Sequence, residues 1–84
     1  MSVTVFGVVG PNNTLLALYW YRENAESAQD MCFTFTKLVQ FTLDSLEEMS
    51  QLSVANLQDI QRQYEHRTNQ QLDVNIYVYR YPHR

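Results

Sequence analysis

Two apolar runs flank Gly10, Pro11, Asn12 and Asn13, and this arrangement restricts the fold more tightly than any other feature of the chain. SVTVFGVVG, residues 2–10, is rich in valine, and TLLALYWYR, residues 14–22, resumes the apolar and aromatic pattern. β-Branched and aromatic residues favour pleated, extended backbone, while Gly, Pro and Asn supply turn conformations. The segment therefore predicts a β-hairpin. In its second strand Leu16, Leu18 and Trp20 share one face and Leu15, Ala17, Tyr19 and Tyr21 the other. Both faces call for at least partial cover.

From Asn24 to Ser50 two periodicities compete. Phe33, Phe35, Val39, Phe41 and Leu43 follow a period of two that Lys37 interrupts. At 100° per residue, Ala28, Met31, Cys32, Phe35, Leu38, Val39, Leu43, Leu46 and Met49 gather into one stripe that includes Thr42. The stripe predicts a helix of about 25 residues, roughly 38 Å long, with Asn24 as N-cap and Glu26 and Asp30 near its positive end. A second helix is expected from Ser53, with Val54, Leu57, Ile60, Gln61 and Tyr64 on one side, ending around EHRTNQ. A last strand runs from about Gln71 to Tyr81, where Pro82 stops it. The expectation is one α+β domain over residues 1–84, in ββααβ order. Its three-stranded, mainly antiparallel sheet packs one face on a long helix and a shorter second one.

The opening VTVFGVVGPNNTLLALYWY, followed by an amphipathic helix, resembles in topology the strand, turn, strand and helix that begin longin-like and roadblock-like folds. The resemblance covers about the first half of the chain and carries no specific motif. Those folds have further strands that this chain does not supply.

Few functional classes are favoured by composition. The net charge of −3, from six Lys and Arg against nine Asp and Glu, disfavours general affinity for phosphate backbones or anionic membranes. Cys32 is the only cysteine, which excludes an intramolecular disulfide and fits a reducing cytoplasm. The apolar start lacks the basic region of a signal peptide and breaks too soon to span a membrane. His66 and His83 have no Ser, Cys or carboxylate arrangement typical of nucleophilic catalysis, and no metal-ligand spacing is legible. No cofactor, metal or catalytic residue is assigned. Asp44, Glu47 and Glu48 read as a solvated face or, alternatively, an acidic contact surface, and Cys32 as a buried, inert thiol.

What the sequence does offer is surplus aromatic surface. On the expected helix, Phe33 and Phe41 occupy the back face with Lys37 between them. In the last strand Tyr77, Tyr79 and Tyr81 alternate on one face, and Tyr19 and Tyr21 could extend that surface if their strands are neighbours. Arg80, His83 and Arg84 form a cationic end. Tyrosine suits interfaces because it joins a large stiff ring to one polar group. The expectation is a small protein-binding module that acts by occupying the surface of a larger protein, as phage- or mobile-element-type inhibitors of host or defence complexes do. Phe33, Lys37, Phe41, Tyr77, Tyr79, Arg80, Tyr81 and Arg84 are its candidate contacts, and a homodimer is expected through the phenylalanines or the tyrosine row. Two alternatives are a sheet that stacks single-stranded RNA, short of the necessary cations, and a small hydrolytic or transfer enzyme built around the two histidines.

Overall fold

A computed structural model describes residues 2–52 and 54–81. The hairpin forms as expected. Strand β1 (Val3–Val9) and strand β2 (Leu15–Tyr19) run antiparallel, joined by a tight turn in which Asn12 and Asn13 adopt φ of 62° and 58°. Asparagine tolerates this left-handed backbone better than most residues because its short polar side chain bonds locally.

The long helix does not form. Helix α1 covers only Arg22–Asp30, and Tyr21, rather than Asn24, takes the N-cap position. After a loop, Thr36–Leu43 forms strand β3, which pairs antiparallel with β1 along its length. Thr36, Leu38, Gln40 and Thr42 point to one side of the sheet, and Val39, Phe41 and Leu43 to the other. The helical stripe arose because β3 is central and covered on both sides, so that apolar residues stand at consecutive positions such as Leu38 and Val39. Its Thr, Val and Phe content favours the extended form. Lys37 does not break the strand, because its ammonium reaches the hairpin turn and donates to Asn13 Oδ1.

Helix α2 (Leu46–Gln51) and helix α3 (Leu57–Thr68) precede the last strand, β4 (Asp73–Arg80). Of the residues placed on the inner side of the second helix, Leu57, Ile60 and Tyr64 are buried. Ser53, expected to start that helix, lies outside the described residues, and the observed cap is Asn56, whose side chain accepts from the Gln58 N–H at 2.9 Å. Asn69 ends α3 in the left-handed conformation, with φ 59°.

The order is therefore ββαβααβ with four strands, not ββααβ with three, and the antiparallel sheet runs β2-β1-β3-β4. The helices do not share one face. α1 packs on the side that carries Val8 and Leu38. α3 packs on the opposite side over Val5, Val39, Phe41 and Leu43, where Tyr64 and Leu72 complete the main core. Glu48, read as part of a solvated face, instead ties α2 to α3 through Arg67 at 2.7 Å.

Candidate protein-binding surface

The strand order leaves β2 and β4 as the sheet's edges. β2 is short and partly covered, since the Leu15 N–H donates to the Ala55 carbonyl at 3.0 Å and Thr14 bridges to Asn56. Among the described residues, no strand pairs with the outer side of β4.

β4 is not a regular strand. Leu38 of β3 pairs with Val78 while the next residue, Val39, pairs with Ile76, so Tyr77 is an extra residue. A bulge of this kind sets two successive side chains on one side of the sheet and shifts the alternation beyond it. Tyr77 and Val78 consequently both face α1. The Tyr77 ring lies 6.3 Å from that of Phe6 and 4.6 Å from the Arg22 guanidinium, and its hydroxyl donates to Gln40. Val78 packs with Val8, Ala25 and Leu38.

Tyr79 falls on the other side, paired with Lys37. Its ring stacks on Phe35 at 6.0 Å, and Phe35 in turn meets Tyr81 at 5.2 Å. The expected single row of three tyrosines is thus divided: Tyr77 lies against α1, while Tyr79 and Tyr81 meet around Phe35. Tyr19 does not join them. It lies on β2, at the far edge, opposite Phe6.

The two phenylalanines separate as well. Phe41 is fully buried between β1 and β4 and faces α3, so it cannot serve as a contact on a helix back. Phe33 stands in the loop between α1 and β3 and is 90% exposed. Met31 in the same loop and Tyr81 are 79% and 71% exposed. The surface that results is an aromatic end of the sheet made by Phe35, Tyr79 and Tyr81, with the exposed Phe33 and Met31 in the loop that leads into it. Phe35 was missed as a contact because the helical stripe assigned it to the core. The alternation of Phe33 with Phe35 just before a strand was the available signal.

Among the described residues, the cations on the strands at this end are engaged: Arg80 pairs with Asp30 at 3.0 Å and Lys37 holds Asn13. Arg22, over Tyr77 on the α1 side, pairs with Glu26 at 2.8 Å. Arg84 and His83 lie outside the described residues. His66 is exposed on α3, beside an open depression shared with Arg62, Glu65 and Asn69. Cys32 is half-buried in the α1–β3 loop, with its thiol donating to the Ala28 carbonyl at 3.3 Å. No group of three or more His, Cys, Asp or Glu gathers in metal-binding geometry among the described residues, and no helix is long and apolar enough to cross a membrane.

A smaller apolar depression of ≈ 220 Å³ lies between β2 and the α2–α3 connection, lined by Leu15, Leu16, Ala17, Leu18, Leu52 and Val54. Both surfaces offer apolar area and shape rather than reactive groups, a chemistry suited to binding. Comparison with known protein families, with curated proteins and with solved structures finds no match.

Proposed function

We propose that the chain is a protein-binding module that works by surface occupation, docking its aromatic end on a larger protein and blocking it in the manner of a small phage- or mobile-element-type inhibitor. The observation that carries this reading is the aromatic group in which Phe35 stacks on Tyr79 and meets Tyr81 at a tilt, with Phe33 exposed in the adjoining loop. Stiff aromatic rings lose little conformational entropy on binding and dominate the energetics of protein interfaces. Among the described residues, Lys37 and Arg80, both on the strands that form this end, are turned to internal partners. The patch therefore suits an uncharged or weakly polar protein surface better than a phosphate backbone, which needs free cations.

The test is capture of the partner with the intact chain and with Phe33→Asp and Tyr81→Asp, using Gln63→Asp on the exposed side of α3 as control. Each aromatic change should weaken capture about 30-fold, the effect of an interface hot spot worth roughly 2 kcal/mol. A partner held equally by all four proteins would refute the assignment. Oligonucleotide binding that collapses with added salt would instead favour RNA.

A further inference from the structure

We propose that β4 pairs antiparallel with β4 of a second copy of this chain across a two-fold axis, joining two four-stranded sheets into one of eight strands. The outer edge of β4 offers eight residues of backbone that no described strand pairs. Exposed edges of this length invite pairing unless charge, proline, a covering segment or a bulge blocks them. β4 has the last of these at Tyr77, but in the register that sets Asp73 opposite Arg80 that extra residue is what lets facing side chains share a side. β2 has such a covering segment at Ala55 and Asn56. β4 has neither proline nor lysine, and its charges stand only at its two ends.

Those charges make the strand complementary to itself. Asp73 opens β4 and Arg80 closes it. In a two-fold register that sets Asp73 opposite Arg80 of the second copy, Val74 faces Tyr79 and Asn75 faces Val78, and each contact occurs twice. A regular strand could not use this register, because facing residues would lie on opposite sides of the sheet. The extra residue at Tyr77 removes the conflict. Asp73, Asn75, Val78 and Arg80 pair with Thr42, Gln40, Leu38 and Thr36, all on the α1 side, while Val74 and Tyr79 pair with Phe41 and Lys37 on the α3 side. The bulge thus gives every charged and apolar pair outside the central Ile76 and Tyr77 a common side. Ile76, Tyr77 and Tyr79 are each about half exposed in the single chain and would be covered further. Arg80 keeps a donor for the second carboxylate, because only its Nη1 contacts Asp30 and its side chain is 37% exposed, although its Nε is buried.

This pairing uses the strand edge and covers Tyr79, which the partner-binding reading also uses, but it does not use Phe33, so Phe33→Asp separates the failure of one from the failure of the other. Sedimentation of the full chain across a concentration series should show a dimer. Asp73→Arg sets two arginines against each other at both ends, and Arg80→Asp does the same with aspartates. Each should raise the dissociation constant about tenfold or more. Mixed in equal amounts, the two variants regain both opposite-charge contacts and should form a heterodimer. If Arg80→Asp loses its fold beside Asp30, Asp30→Arg/Arg80→Asp keeps that ion pair and takes its place. A mass that stays at 9.9 kDa for the unaltered chain, Asp73→Arg dimerising as well as the parent, or a mixture of folded variants that stays monomeric would each overturn the proposal. So would loss of the dimer in Phe33→Asp, which would assign the seam to the aromatic end.

Discussion

Replacing Gly7 with alanine tests the sheet where the two competing readings of residues 24–50 differ most. Gly7 stands in the middle of β1, paired with Leu18 on one side and Val39 on the other. A Cβ added there would lie 2.7 Å from Cε2 of Phe41 and 2.8 Å from Cδ1 of Leu15. Both are side-chain ends, but Phe41 is fully buried and Leu15 almost so, leaving neither an open direction to move. Overpacking of this kind costs about 1–3 kcal/mol. Alanine's smaller loss of backbone freedom returns about 0.5–1 kcal/mol, for a net destabilisation between about 0 and 2.5 kcal/mol, centred near about 1 kcal/mol. With a urea dependence of about 1 kcal/mol per molar for a domain this small, the unfolding midpoint should fall by about 1 M.

Phe41→Leu removes the ring that the new methyl meets, so the two changes should be coupled. In a double-mutant cycle Gly7→Ala should cost at least about 1 kcal/mol less when residue 41 is leucine. A midpoint raised in Gly7→Ala, or strictly additive effects in the cycle, would show that Gly7 and Phe41 are not neighbours. The register of β1 against β3 would then be wrong.

Three further changes probe the helices. Tyr64→Phe removes the buried hydroxyl that accepts the Asp44 N–H at 2.8 Å, and should cost about 1 kcal/mol together with faster hydrogen exchange at that amide. Asn56→Ala deletes both the cap to Gln58 and the bond from Nδ2 to the Asn12 carbonyl at 2.8 Å; thermal unfolding should report a loss of about 1–2 kcal/mol. Asn69→Ala forces a Cβ without a compensating side-chain amide into the left-handed C-cap at φ 59°. It should lower stability by about 1 kcal/mol, whereas Asn69→Gly should be tolerated.

Features set by near neighbours along the chain are legible in its sequence alone. The hairpin follows from valine-rich and aromatic runs around Gly10, Pro11, Asn12 and Asn13, and the inner side of α3 follows from the spacing of Leu57, Ile60 and Tyr64. The exposure of Phe33 is also readable, although the expected reason, a helix back, is not the observed one. Local chemistry suffices there because the turn conformations and the 3.6-residue period are properties of the segment itself.

Tertiary structure decided the rest. Whether Thr36–Leu43 forms helix or strand depends on partners distant in sequence. With β1 on one side, β4 on the other and helices over both faces, a segment with mixed periodicity gains more from ladder hydrogen bonds and two-sided burial than from a helical stripe. The same dependence moved Phe41 from an expected surface into the core and set Phe35 against Tyr79 and Tyr81. It also divided the tyrosine row. Strict alternation holds only while each residue faces one partner, and the single extra residue in β4 opposite Leu38 and Val39 arises from pairing with β3, a relation that the order of residues 74–81 does not contain.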